Sequence, residues 1–305
     1  MTHLLRLQGR VFCGLALATM FASLAGFKLA ALHELLAAAA LLSLLGMPHG
    51  ALDAVFARKL FGIESYTGWA AFALFYVALA AAVVGFWFFF PTAFLCAFLL
   101  VSALHFGGDP AVNTSTVVRG LYGGSVIVLP ALWHGPELEH LMGLVAGPAS
   151  AVVVVPVLQH LATPWLAATL VGCVWQARSS RRMAHQTARE TAFDTAFEMA
   201  ALAALLVAAT PLVSFTVYFC AMHSPRHILR TVSNLPVSEA RNALRLALWP
   251  TLAVLAALLV GGWLSSGRAI QPAILQLVFG GLAALTLPHM LLLERSRRVQ
   301  PPAHL

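Results

Sequence analysis

YTGWAAFALFYVALAAAVVGFWFFF, residues 66–90, runs for its whole length without a charged side chain. A soluble helix of this length would present a polar face to water, and this segment has none to present. Crossing a hydrocarbon layer takes roughly 17–25 predominantly apolar helical residues, which is what the segment offers. Strands of an outer-membrane barrel would instead alternate apolar and polar residues over segments of about ten. Neither this run nor FDTAFEMAALAALLVAA, residues 193–209, alternates in that way. Backbone groups in lipid find no water to bond, so a lone spanning segment must satisfy them internally as a helix.

The pattern repeats outward in both directions. Further apolar runs lie at about 11–32, 35–56, 92–108, 117–133, 139–177, 192–209, 211–224, 243–264 and 270–293. Hydrophobic residues make up 60% of the chain and charged ones 10%, with a mean hydropathy of +0.86. Soluble domains carry about 25% charged residues, so this chain could not cover its own surface in water. The expected fold is all-α: a polytopic transmembrane helical bundle of about ten spans, forming one integral domain over residues 1–305 in a lipid bilayer. The four cysteines sit inside apolar runs without metal-binding spacing and read as small buried hydrophobes.

A net charge of +7 does not mark a nucleic-acid partner. Of the 18 basic residues only Lys28 and Lys59 are lysine, and the arginines gather at the ends of the apolar runs. That is the positive-inside distribution. Arg6 and Arg10 place the N-terminus in the cytoplasm. Arg58, then Arg178, Arg181, Arg182 and Arg189, then Arg226, Arg230, Arg241 and Arg245, then Arg295, Arg297 and Arg298 follow on the same side. Both termini are therefore expected to be cytoplasmic. The run 139–177 is long for one crossing and contains Pro148, Pro156 and Pro164; the arginine distribution requires it to cross an odd number of times.

Twelve histidines are many for so apolar a chain. His3, His185 and His304 fall in tails or a basic loop, and His33, His134, His140 and His160 at interfaces. Five others, His49, His105, His223, His227 and His289, lie within or at the end of apolar runs. Ionisable groups are expensive there and point to function. By the arginine orientation all five fall near one side of the membrane.

Their local company adds chemistry. His49 stands in Pro48-His49-Gly50-Ala51-Leu52-Asp53, and His105 in His105-Phe106-Gly107-Gly108-Asp109. Each has an aspartate four residues later, on the same face if the helix continues, and the chain holds only three aspartates. A metal-bound histidine usually donates its second ring N–H to a carboxylate or carbonyl, which suits Asp53 and Asp109. In His223-Ser224-Pro225-Arg226-His227 two imidazoles four residues apart can face one metal. Imidazole suits zinc, copper, iron and nickel alike, so these residues leave the metal open. Zinc would polarise water, whereas activating dioxygen needs a redox metal.

The segments PHGALD (48–53), HFGGD (105–109) and HSPRH (223–227), in this order and at this spacing, resemble the Brp/Blh family of β-carotene 15,15′-dioxygenases. The resemblance extends over most of the chain as a multi-span protein, with its specificity in these three segments. It implies oxidative cleavage of the central double bond of β-carotene, or a related carotenoid, by O2 to give two molecules of all-trans-retinal. It also implies Fe(2+) as cofactor, with His49, His105, His223 and His227 as its ligands and catalytic residues. Asp53 and Asp109 would stand behind those ligands. His289, after Pro288, belongs to the site or to its packing without a ligand role carried over. The polyene would lie in an apolar tunnel lined by aromatics from runs such as Phe86 to Phe90. A multi-pass place in the cytoplasmic membrane of a bacterium, and hand-off of retinal to a rhodopsin, are further implications.

Two other readings fit part of the pattern. A non-catalytic membrane protein that binds or transports a metal or lipophilic pigment would use the same histidines. Transport paths, however, set ionisable groups near the midplane, and these gather near one side. A di-iron hydroxylase or desaturase needs several His-x-x-His or His-x-x-x-His boxes, and the chain has one.

Overall fold

The computed structural model describes residues 2–111, 114–181, 185–233, 235, 237–264, 267 and 269–299; Arg182 and His304 lie outside them. Among the described residues the fold is helical throughout and no strand forms. In chain order the helices are α1 (Thr2–Leu24), α2 (Ala31–Leu41), α3 (Asp53–Phe61), α4 (Tyr66–Phe89), α5 (Pro91–Phe106) and α6 (Thr116–Val128). They continue with α7 (Gly135–Ala146), α8 (Pro148–Arg181), α9 (Gln186–Ala208), α10 (Pro211–Tyr218), α11 (Ser224–Ser233), α12 (Val237–Leu264) and α13 (Ile270–Val299).

Residue choice explains many of the ends. Ser65 and Ser115 accept the backbone N–H of Gly68 and Val118, at 3.1 and 3.3 Å, and so cap α4 and α6. Pro91 and Pro211 occupy first turns, where a missing N–H costs nothing. Gly62, at φ +59°, closes α3 in the left-handed conformation that glycine takes without strain.

Seven helical stretches among the described residues are long and apolar enough to cross a membrane, or eight if one bent pair is counted as a span. The sequence runs suggest about ten, and the difference has local causes. Helix α5 has 16 residues, short for a full crossing. Residues 211–224 divide between α10 and a π-turn at Phe219–His223. Helices α6 and α7 meet at a bend of 102°. The long run 139–177 resolves into the end of α7 and the continuous 34-residue α8, which passes through Pro156 and Pro164. Neighbouring helices can re-satisfy the groups that such prolines free.

The interior is centred on Phe12, Tyr122, Leu202, Tyr218 and Met222, all without exposed surface. The outside is apolar as well. Helix α4 buries none of its spanning window, leaving Leu74, Phe75 and Phe88 exposed. Burying one such side chain is worth roughly 1.5–3 kcal/mol, so an exposed apolar face of this length is compatible with a membrane-spanning helix.

Two helices are interrupted without being unwound. Between α2 and α3 the chain passes through a π-turn at Leu42–Gly46 and a 3-10 turn at Met47–Leu52. Between α10 and α11 it passes through a π-turn at Phe219–His223. Such turns change the bearing of the side chains that follow. The two interruptions lie against one another. The Ser224 hydroxyl donates to the Leu45 carbonyl at 2.7 Å, and a Cβ on Gly46 would come within 2.8 Å of the Phe219 ring. Glycine at 46 is what allows this approach.

Candidate metal centre

The two interruptions, the first turns of α11, the end of α5 and the later part of α13 converge on five imidazoles. The ring of His49 lies 5.1, 5.6 and 5.4 Å, centroid to centroid, from those of His223, His227 and His289. His105 lies 4.7 Å from His223 and 5.2 Å from His289, and His227 lies 5.2 Å from His289. The tightest set is His49, His105 and His289, whose ligand atoms all fall within 4.8 Å of one another. His289, which the sequence left outside the ligand set, thus stands inside the cluster at the same range as the other four.

The outer nitrogens of three rings are held. His49 Nδ1 lies 2.5 Å from the Gly46 carbonyl oxygen. His289 Nδ1 lies 2.6 Å from Asp53 Oδ1. His223 Nδ1 lies 3.1 Å from both carboxylate oxygens of Asp109. A carbonyl or a carboxylate can only accept, so each Nδ1 is the donor, which in the neutral ring leaves Nε2 its lone pair. The Nε2 atoms of His223, His227 and His289 are buried without a hydrogen-bond partner among the described residues. Unpartnered buried nitrogens on converging rings, backed by carboxylates, are the donor set a transition metal takes. The residues present fit a metal ion.

The aspartates serve different histidines from those four residues before them. Residues 47–52 form a 3-10 turn, in which i+3 rather than i+4 shares a face, so Asp53 turns away from His49 and toward α13. Helix α5 ends at Phe106, so Asp109 lies in the loop beyond and reaches His223 instead. Each carboxylate also takes a phenol. Tyr76 donates to Asp53 Oδ2 at 2.7 Å and Tyr218 to Asp109 Oδ2 at 2.5 Å. The result is two parallel chains, His289–Asp53–Tyr76 and His223–Asp109–Tyr218. Neither tyrosine shows a sequence signal, because both sit in apolar helices far along the chain from their partners.

A second layer fixes the Asp109 loop. Arg230 donates to the carbonyls of Gly108, Asp109 and Pro110 at 2.7, 2.6 and 3.1 Å. Arg226, between the two histidines of HSPRH, points away from them into a bidentate pair with Glu198 of α9, at 2.7 and 2.6 Å. It also donates to Gln8 of α1 at 2.9 Å. Fork-to-fork pairing of this kind fixes orientation as well as charge. From the other side α6 approaches α5 closely: a Cβ on Gly123 would lie 2.0 Å from the Ala103 carbonyl oxygen, two residues before His105.

The cluster opens into an apolar cavity of about 500 Å³, within the range usual for small-molecule sites. His49, His105, His223 and His289 line it, and His227 is not part of its wall. Its aromatic wall comes from Trp69, Phe72, Phe98, Phe215 and Phe279. The Phe86–Phe90 run expected there lies elsewhere: Phe88, Phe89 and Phe90 are more than half exposed on the outside of α4. Trp87 turns to donate its indole N–H to the Val145 carbonyl.

Comparison with known proteins adds the following. A family model described as beta-carotene 15,15′-dioxygenase matches residues 40–295. A beta-carotene 15,15′-dioxygenase of an uncultured marine bacterium, 66A03, is 31% identical over 267 residues, covering 84% of this chain and 92% of the relative. A probable beta-carotene 15,15′-dioxygenase, Blh, of Halobacterium salinarum is 25% identical over 287 residues, covering 84% of this chain and 82% of the relative. No solved structure matches.

Proposed function

Because the chain belongs to the beta-carotene 15,15′-dioxygenase family, we propose that it cleaves the central 15,15′ double bond of β-carotene with dioxygen, giving two molecules of all-trans-retinal. The observation that carries this reading is a cluster of imidazoles, three of them with buried, unpartnered Nε2 atoms, at the wall of an apolar cavity. In the balanced reaction the carbon–carbon double bond breaks, and each carbon receives one oxygen atom of O2. No external reductant is consumed. Fe(2+) is the proposed metal, and when bound it would supply the redox chemistry that engages dioxygen.

His49, His105, His223 and His227 would hold that ion, with His289 beside them as a fifth imidazole. Asp53, Asp109 and the Gly46 carbonyl fix the orientation of three of these rings through Nδ1. The apolar wall binds the polyene and excludes water. The buried Arg226–Glu198 pair and Arg230 hold the loop that carries Asp109. The protein is proposed to be multi-pass in a bacterial cytoplasmic membrane with both termini inside, where a lipid-dissolved carotenoid reaches it directly.

The test is expression in a bacterial host that accumulates β-carotene, under air, with pigment extraction and chromatography. Loss of the orange carotenoid with appearance of retinal is expected, and His105→Ala should keep the carotenoid and lose bound iron. Retained β-carotene beside abundant wild-type protein would overturn β-carotene as substrate. Wild-type protein that holds no metal would overturn the metal centre.

A further inference from the structure

A polyene offers a cavity no polar atom by which one double bond could be told from its neighbours. The cavity in turn has few polar groups left to read with. Of the hydroxyls on its wall, those of Tyr76, Thr251 and Thr286 are spent on Asp53, on the Ala247 carbonyl and on the Leu282 carbonyl, which leaves those of Ser43 and Ser102. With no polar atom on the polyene for these groups to engage, length is what distinguishes the central bond, and length needs a stop.

Helix α7 has the form of one. It leaves α6 at a bend of 102° and so does not run on along the bundle. Leu138, Leu141, Met142 and Val145 line the cavity, and their i, i+3, i+4, i+7 spacing puts them on one face. The other face carries Glu137, Glu139 and His140, all exposed. The helix is fastened by its C-terminal carbonyls, which a helix leaves unpaired. Leu144 accepts from Gln276 of α13 at 3.0 Å and Val145 from Trp87 of α4 at 3.1 Å. Gly147, at φ +89°, and Pro148 then turn the chain sharply into α8. The stop is thus tied to two of the helices that wall the cavity.

Its depth follows from the helices that line both ends. On α5, Leu95 and His105 both face the cavity and, ten residues apart, stand about 15 Å from one another along the helix. On α13, Leu275 and His289 do the same, and fourteen residues separate them by about 21 Å. That is the scale of one half of a forty-carbon polyene with its terminal ring.

We infer that the Leu138–Leu141–Met142–Val145 face of α7 is the floor on which a terminal ring of the carotenoid rests, and that its distance from the histidine cluster selects the bond that is cut. The inference rests on the proposed function. A lower floor lets the chain slide deeper and a higher one holds it back; either change brings a non-central bond to the histidines.

The experiment uses the full chain in membranes supplied with β-carotene and compares Leu141→Ala, Met142→Ala and Met142→Phe with wild type and with Glu139→Gln on the outer face. Chain lengths of the carbonyl products are read by chromatography. Bound metal, and β-carotene retained without oxygen, are measured beside them. Wild type and Glu139→Gln should give equal halves. The floor variants should raise the ratio of unequal to equal fragments by roughly tenfold or more, the discrimination that a methylene or two of pocket length supplies. Metal and retained carotenoid should stay at wild-type levels. Retinal alone from all three floor variants would overturn the inference while leaving the proposed function standing. So would complete loss of cleavage in both alanine variants with metal still bound, because a deeper cavity should misplace the polyene rather than expel it. Absence of any cleavage by the wild type would instead overturn the function on which the inference rests.

Discussion

Asp53→Asn tests how the centre is held. The carboxylate accepts from His289 at 2.6 Å and from Tyr76 at 2.7 Å, with His289 and Asp53 side chains 4% and 5% exposed. An asparagine of the same shape can still accept from one of the two. Its amide nitrogen must then face the other, and the full negative charge is gone. Hydrogen bonds to charged groups contribute roughly 1.5–3 kcal/mol and neutral ones about 1. Losing the charge on two bonds should therefore cost about 1–3 kcal/mol. Since each 1.4 kcal/mol is a factor of ten, metal affinity should fall by roughly 10–100-fold, which is also the usual effect of removing a partner behind a metal ligand. Affinity is measured by competition with a chromogenic chelator, in wild type, Asp53→Asn, His289→Ala and the double variant. If Asp53 acts through His289, the asparagine should cost nothing more once His289 is gone. An undiminished further loss in the double variant would refute the cross-helix pairing and return Asp53 to His49. Unchanged affinity in Asp53→Asn alone would make the whole chain to Tyr76 incidental.

Two further outcomes follow from packing. Glu198→Ala strands the Arg226 guanidinium in the interior; breaking one side of a buried pair costs about 3–5 kcal/mol, so the thermal midpoint of metal-free protein in detergent should fall by several degrees, and an unchanged midpoint would show the pair to be dispensable. Gly123→Ala drives a methyl group against the Ala103 carbonyl, which should push α5 outward and weaken metal binding through His105 more than it lowers the unfolding temperature; equal loss in both would assign Gly123 to general packing.

The membrane character was readable because it needs only composition and run length, as residues 66–90 show. The three motif segments were readable because their histidines are anomalous in apolar surroundings. What stayed hidden depends on how helices are wound rather than on what they contain. The i, i+4 relation of His49 to Asp53 presumes an α-helix, and the chain takes a 3-10 turn there. His289 has no carboxylate nearby in sequence, since its partner comes from residue 53. The aromatic run at 86–90 looks suited to a tunnel, yet the rotation of α4 turns its phenylalanines outward. Residues 139–177 read as one ambiguous run because the break at Gly147 and Pro148 redirects the chain without adding polarity.

The paired π-turns at Leu42–Gly46 and Phe219–His223 have one more consequence. A π-turn holds one residue more than the α-turn it replaces, and each α-helical residue advances the bearing by about 100°. Losing a single residue from Leu42–Leu45 would let the segment close to an ordinary α-turn with the bearings of His49 and Asp53 nearly kept, whereas losing one from the regular turns of α2 would swing both by about 100°. Exchanging one leucine there for another apolar residue would leave both bearings intact. In these two short stretches, then, heredity should forgive changes of letter and even the loss of one, where the regular helices before them should not.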